Sequence, residues 1–209
     1  MLSKIRIKLK NMSDGVSRVL LKVGIKPNVM TVIGLILSVY AAFLYFNASS
    51  AVGHIWLAAI VLAVSGFSDI IDGAMARLSN NVTAFGGFLD SVLDRYADSI
   101  VIFGIIFGTA TNSSTLGIST IVWGIIAIFG SIIVSYTRAK ADSLGVQLSG
   151  IGIAERPERI LILIATSIFL RPDIGIFIIA ILTNITVLQR GIHVYRKMKK
   201  EPKGSKANT

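Results

Sequence analysis

The chain has 209 residues, of which 53% are hydrophobic and only 15% charged, with a mean hydropathy of +0.74. Soluble domains carry about 25% charged residues, so this composition excludes a soluble globular domain and points to a membrane protein. There is no cysteine, which excludes a disulfide framework and a thiolate metal site.

The net charge of +10 is concentrated at the ends: seven of the 21 Lys and Arg fall in residues 1–26 and seven in 190–209. Positive-inside bias accounts for such tails better than nucleic-acid binding. Both termini are therefore expected on the cytoplasmic side of the cell membrane, with an even number of spans between them and no nucleic-acid partner.

Residues 1–26 alternate Ile5, Ile7 and Leu9 with Lys4, Arg6, Lys8 and Lys10, and then place Val16, Val19, Leu20 and Val23 at helical spacing. This reads as an amphipathic interfacial helix on an anionic leaflet, ended by Gly24, although the first ten residues equally fit a short extended arm. Such a start is not the short apolar run of a cleavable signal peptide. Pro27 opens a first span over 28–46. A second follows over 54–78, with His54 as a structural residue and Trp56 as an interface anchor at its outer end. The third covers 83–110, and an uncharged polar loop over 109–115 leads to the fourth, 116–141. A Gly-rich loop precedes the fifth, 154–170, and a tight turn at 171–173 precedes the sixth, 174–195. Each is near the ~20 residues a bilayer requires. The expected fold is all-α: a polytopic membrane bundle of six transmembrane helices with an N-terminal amphipathic interfacial helix. Residues 1–26 form the juxtamembrane helix, 27–197 the membrane domain and 198–209 a basic cytoplasmic tail.

Within this apolar chain, residues 69–94 read Asp69-x2-Asp72-Gly73-x2-Ala76-Arg77-x8-Gly86-x3-Asp90-x3-Asp94. Ionisable residues in a membrane segment are costly and mark function by default. Asp69 and Asp72 share one helix face, and Asp90 and Asp94 share another. Gly73, Ala76 and Arg77 lie on the stripe of Asp69; two of them lack bulk, which leaves room for a ligand against the backbone. An antiparallel hairpin about the polar turn 78–83 would bring all four carboxylates into one small volume. Like charges that close cannot all stay ionised without a cation. All-oxygen donors suit Mg²⁺ or Mn²⁺, and one or two such ions suit phosphate chemistry. Asp98 continues the face one turn deeper and reads as a structural or supporting group.

A second constellation is cationic. In the six-span reading Arg138, Lys140, Arg156, Arg159 and Arg190 all lie at cytoplasmic helix ends, where the acidic hairpin also opens. Positive-inside bias and local pairing with Glu155 and Glu158 account for any one of them. As a set they form a pocket suited to phosphate, which guanidinium groups hold bidentately.

The first motif fixes eight residue types over 26 positions and resembles the signature of the CDP-alcohol phosphotransferase family at every fixed position. The resemblance implies a membrane enzyme of phospholipid biosynthesis that uses an alcohol to displace CMP from a CDP-lipid, CDP-diacylglycerol or CDP-archaeol. It implies metal ligation by Asp69, Asp72 and Asp90. Asp94, which also lies on the metal face, would be the general base. Asn28, Thr31 and Thr83 would line the nucleotide side, with Gly73 and Ala76 allowing close approach and Arg77 neutralising phosphate oxygens. A homodimer is also implied, and Gly104 and Gly108 would permit close helix packing.

The segments Ser135-Tyr136-x-Arg138-x-Lys140, Glu155-Arg156 and Gln189-Arg190 are similar to the inositol-phosphate pocket of the phosphatidylinositol-phosphate and archaetidylinositol-phosphate synthases of that family. The bacterial pattern has Lys before Arg in the first segment, whereas here Arg138 precedes Lys140. The implied acceptor is inositol phosphate, bound by Ser135, Arg138, Lys140, Arg156 and Arg190. Glycerol phosphate meets the same charge requirement and is the alternative acceptor. A cation transporter, the remote alternative, would place acids near the bilayer midplane on broken helices.

Overall fold

The structure is a computed structural model and describes residues 2–49, 51–79, 82–108, 113–148 and 150–200. The expected tail over 198–209 lies outside the described residues from 201 onward.

Seven helices make up almost all of it: α1 (Leu2–Lys22), α2 (Pro27–Phe46), α3 (Gly53–Leu78), α4 (Ala84–Gly108), α5 (Thr120–Ser143), α6 (Arg156–Ile168) and α7 (Pro172–Lys200). The helix ends follow from local chemistry. Gly24, at φ +86°, closes α1: Ile25 N donates to the Leu20 carbonyl at 3.1 Å and Gly24 N to that of Leu21 at 3.0 Å. That pair of bonds satisfies carbonyls the helix would otherwise leave bare. Lys26 is extended, and Pro27, which needs no amide partner, starts α2. The same closing pair ends α6 around Leu170 at φ +58°, a position glycine usually takes.

Four helices, α2, α3, α5 and α7, are long and apolar enough to cross a membrane. The region expected to be a fourth span from residue 116 differs at its start. Residues 114–119 form a two-stranded hairpin, Ser114–Thr115 (β1) against Ile118–Ser119 (β2), and α5 begins only at Thr120. The turn needs two left-handed residues, and Leu116 (φ 54°) and Gly117 (φ 75°) supply them. The region expected to be the fifth span is a helix of 13 residues, Arg156–Ile168. At 1.5 Å per residue it is about 20 Å long, short of the ~30 Å hydrocarbon core.

Helix α2 packs on α3 and α4, α5 pairs with α7, α6 lies against α3 and α7, and α1 lies across α3. Away from the acidic motif the core is aliphatic, with Leu44, Tyr45, Leu62, Ile105, Ile106, Ile176 and Ile179 buried. Several of its buried polar groups find partners, as favoured where water is absent, while the Ser131 hydroxyl has none among the described residues. Tyr45 Oη and Ser167 Oγ are 2.7 Å apart, Ser38 and Ser65 hydroxyls 2.8 Å apart, and Ser65 donates to the Gly34 carbonyl at 2.9 Å. Nδ1 of His54 is 3.0 Å from the Asn47 carbonyl, and Trp56 Nε1 donates to the Ile168 carbonyl at 3.2 Å.

Gly104 and Gly108 pack within the chain. A methyl group at Gly104 would collide with the Ala42 backbone, and one at Gly108 with the backbone of Tyr45 and Phe46. These two glycines set how closely α4 approaches α2, a use of small residues common between membrane helices. Gly108→Ala should therefore lower the thermal unfolding midpoint in detergent, at a cost of about 1–3 kcal/mol for overpacking. Gly191→Ala, where a methyl meets nothing within 4 Å, is the control and should leave the midpoint unchanged or raised.

Candidate active site

The last turns of α3 and the first turns of α4 face each other and carry the acidic motif. Asp72 is buried, 7% exposed, and accepts a 2.8 Å hydrogen bond from Thr31 Oγ1 in the first turns of α2. Asp69 backs onto α2 as well: a Cβ at Gly34 would lie 3.3 Å from its Oδ1. A larger residue at Gly34 would push that carboxylate out of place.

Three cavities meet at these acids. The first is a cleft of about 230 Å³, bounded by Asp72 and Asp90. All six residues expected to bind the CDP-lipid line it: Asn28, Thr31, Gly73, Ala76, Arg77 and Thr83. At its mouth Gly86 N donates to Thr83 Oγ1 at 3.0 Å, and a Cβ at Gly86 would sit 3.1 Å from Asn28 Oδ1. Arg77 is exposed and arches over Gly73, with its Nη1 3.5 Å from where a Cβ would be.

The second cleft, about 260 Å³, is lined by Asp94 and Asp98 of α4, Ser135 and Arg138 of α5, Arg156 of α6 and Arg190 of α7. Lys140 is not brought to it. That side chain is exposed, two residues further along α5 than Arg138 and on another face of the helix. Arg190 does line the cleft, yet it is 1% exposed and three of its donors serve the protein. Its Nε bonds the Ile151 carbonyl at 2.9 Å, its Nη1 the Val134 carbonyl at 2.6 Å and its Nη2 Glu155 Oε1 at 2.7 Å. Thr186 holds the loop alongside, accepting from the amides of Ile153 and Ala154 at 3.2 Å each.

The third cavity is an apolar groove of about 600 Å³ between α3 and α6, walled by Phe67, Ile70, Ile160, Leu161 and Ile164. Asp69, Asp90, Asp94 and Arg156 border it. Asp90 thus fronts the first and third cavities, and Asp94 the second and third.

Arg156 is the hub of the site. Its Nη1 is paired with Asp69 and lies 2.6 Å from Asp94 Oδ1, while its Nε lies 3.3 Å from Asp98 Oδ1. Among the described residues no three acidic side chains are gathered into a ready ligand set, and this guanidinium stands between Asp69 and Asp94. The donor chemistry still fits a hard divalent cation, since Asp69 and Asp72 of α3 and Asp90 and Asp94 of α4 offer it carboxylate oxygens.

Residues that sequence reasoning did not place here are Arg95, Glu155 as the partner of Arg190, and Asp98 as a partner of arginines. Arg95 follows Asp94 directly, so helical geometry turns it about 100° off the motif face and toward the second cleft. The one signal in the sequence was a charge inside an apolar helix.

Comparison with known proteins gives the same family throughout. Residues 25–191 match the family model described as CDP-alcohol phosphatidyltransferase. The archaetidylinositol phosphate synthase of Pyrococcus horikoshii is 39% identical over 192 residues, covering 91% of this chain and 94% of that one. The archaetidylinositol phosphate synthase of Methanothermobacter thermautotrophicus is 43% identical over 159 residues, covering 73% and 77%. The crystal structure of the phosphatidylinositol phosphate synthase of Mycobacterium tuberculosis with CDP-DAG bound superposes with a TM-score of 0.75 at 28% identity, covering 95% of this chain and 99% of that one. A second structure of that enzyme, in complex with manganese and citrate, has the same TM-score and identity over 94% and 93%.

The position of Arg156 makes a testable statement about stability. Arg156→Ala leaves Asp69, Asp94 and Asp98 facing one another without their shared cation. In EDTA it should cost about 2–3 kcal/mol, less than a fully buried pair because these side chains are 13–22% exposed. Added Mn²⁺ should restore more of the thermal midpoint in the variant than it adds to the unaltered chain, as read by unfolding in detergent.

Proposed function

Since the chain belongs to the CDP-alcohol phosphatidyltransferase family, we propose that it transfers a phosphatidyl or archaetidyl group from a CDP-lipid to inositol phosphate and releases CMP. The observation that carries this reading is the junction itself. Asp90 and Asp94 sit where a polar cleft, a cationic cleft and an apolar groove meet, so three chemically different parts of the two substrates converge on the same carboxylates.

The cytidine nucleotide takes the first cleft, between Asn28, Thr31 and Thr83, with its phosphates over Gly73 and Ala76 and beside Arg77. The lipid tails take the apolar groove. Asp69, Asp72, Asp90 and Asp94 would hold Mg²⁺ or Mn²⁺, one or two ions; the manganese in the M. tuberculosis structure supports a divalent metal. A divalent ion so held supplies Lewis-acid charge to the diphosphate. Asp94 takes the acceptor hydroxyl proton as the acceptor oxygen bonds to the lipid-linked phosphorus. The bond to CMP breaks, and its electron pair leaves on the CMP phosphate.

The acceptor phosphate takes the second cleft, with Ser135, Arg138, Arg156 and Arg190. Five arginines face three carboxylates there, so a dianion is favoured and a neutral acceptor such as free inositol is not. Lys140 would approach it only from the rim. The inositol-phosphate relatives favour inositol phosphate over glycerol phosphate. Family membership removes the cation-transporter reading.

In the membrane, α4 and the short α6 complete six spans with α2, α3, α5 and α7. The acids of α4 are kept off the lipid by α3 and α6. Both termini and the active site face the cytoplasm, α1 lies along the anionic leaflet, and the basic residues near both termini support that orientation. Two copies pair into a homodimer, as the family resemblance implies.

Asp69→Asn and Asp90→Asn should each abolish Mn²⁺-dependent CMP release while the chain still folds, and retained activity in both would remove the metal assignment. Asp94→Asn should keep Mn²⁺ and CDP-lipid binding and lower turnover by about 10²- to 10⁴-fold, the worth of a general base; collapse of metal affinity instead would make Asp94 chiefly a ligand. Offered inositol phosphate, glycerol phosphate, serine and free inositol with a CDP-lipid, the purified protein should prefer inositol phosphate. Equal or faster turnover of glycerol phosphate would overturn the acceptor and leave the reaction class standing.

A further inference from the structure

Asp98 lies one turn beyond Asp94 on α4, outside the family motif. Its side chain is 13% exposed, and each of its oxygens takes a different arginine. Oδ1 accepts from Arg156 Nε at 3.3 Å and Oδ2 from Arg159 Nη2 at 2.5 Å. Arg156 and Arg159 are three residues apart in the first turn of α6, so helical geometry puts two like charges on one face.

Arg159 has no ready substitute for Asp98 among the described residues. Arg159 is 5% exposed, and its other bond is to the Ala154 carbonyl at 2.9 Å. Its Nε has no hydrogen-bond partner among the described residues, and Asp98 is its only carboxylate partner there. The closed cavity beside it, bordered by Ser38, Asp98 and Arg156, measures about 20 Å³. That holds one water and no second counter-ion. Arg156 meets Asp69 and Asp94 through Nη1 and Asp98 through Nε, so Asp98 supplies the second point that fixes the plane of the group. With the Nε edge tied to Asp98, the Nη edge is turned toward Asp69 and Asp94, where Arg156 lines the cationic cleft. A guanidinium recognises phosphate through a planar fork, so the plane in which it is held decides whether both donors reach the same anion. Arg190 is fixed independently, by two backbone carbonyls and Glu155.

We propose that Asp98 is a positioning residue of the acceptor site: it holds Arg156 and Arg159 side by side, in the plane from which they meet the acceptor's phosphate. This rests on the assignment of the second cleft to a phosphorylated acceptor. Asp98 touches neither substrate, and its effect passes through the two arginines.

The test is a separation of kinetic parameters in the full chain, purified in detergent with Mn²⁺ and CDP-diacylglycerol and offered inositol phosphate and, separately, glycerol phosphate. Asp98→Asn should raise the KM of whichever acceptor is used by about 10- to 100-fold, the worth of charge-assisted hydrogen bonds. The KM of the CDP-lipid and the Mn²⁺ affinity, measured directly by titration, should stay within about twofold. Asp98→Glu, which keeps the charge and both oxygens, should recover most of the acceptor KM. An acceptor KM that does not move, or one that moves together with the CDP-lipid KM and the Mn²⁺ affinity, overturns the proposal. If Asp98→Asn does not fold, Arg159→Gln and Asp98→Asn/Arg159→Gln replace it, since the double variant loses one charge of each sign. The double must then exceed the single in acceptor KM by about fivefold or more, and equal values overturn the proposal. If the unaltered chain uses neither phosphorylated acceptor, the acceptor reading fails and takes this inference with it. If it uses one and the Asp98 variants match it, this inference fails alone.

Discussion

The guanidinium of Arg156 joins Asp69 of α3 to Asp94 and Asp98 of α4, and the polar half of the molecule is arranged around that junction. Acids packed this closely in an apolar bundle repel each other and lose hydration, so they need a shared cation. Arg156 reaches them only because α6 begins beside the acidic hairpin. Glu155 takes the N-cap position of that helix without a side-chain cap bond, its carboxylate going to Arg190, and Pro157 in the first turn has no amide to satisfy. The shortness of α6 belongs to the same arrangement, because its first turn is committed to charge and not to lipid.

Helix α2 supplies the rigid back of the site. It touches α3 through Gly34 and the Ser38–Ser65 pair, and it touches α4 through Ala42 against Gly104. Thr31, on the same helix, fixes Asp72. One helix therefore sets the spacing of both arms of the hairpin and the orientation of one of its acids. The apolar core beyond it, around Tyr45, Ile105 and Ile179, holds the far half together by packing and by neutral hydrogen bonds such as Tyr45 to Ser167. Precision is thus concentrated where the carboxylates are, as a site that positions phosphorus within bonding reach requires.

The three cavities differ in what they offer a ligand. The polar cleft beside Asp72 is built from α2, α3 and the start of α4, and the cationic cleft from α4, α5, α6 and α7. They are lined by different residues and share no charged side chain. Of the eight motif positions only Asp94 reaches the cationic cleft, so changes elsewhere in that cleft leave the motif untouched. The apolar groove between α3 and α6 joins them from below, with Arg156 at its border.

Much of this was legible in the sequence. Eight fixed residues over 26 positions identify the acidic hairpin, because helical periodicity alone puts Asp69 and Asp72, and Asp90 and Asp94, on single faces. That Asn28, Thr31, Gly73, Ala76, Arg77 and Thr83 line one cleft was legible for the same reason, since they are local to that hairpin or to the helix start that Pro27 marks. Only tertiary structure decided the rest. Gly104 and Gly108 are small residues that suit any helix neighbour, and which neighbour they meet depends on the packing of α4 against α2. Lys140 and Arg138 look equivalent in sequence, yet the rotation of α5 gives the cleft to one of them. Asp98, Arg156 and Arg159 lie some 60 residues apart along the chain, and no local pattern pairs a carboxylate with two particular arginines at that distance. Periodicity fixes which residues share a face of one helix, and packing alone fixes what that face meets.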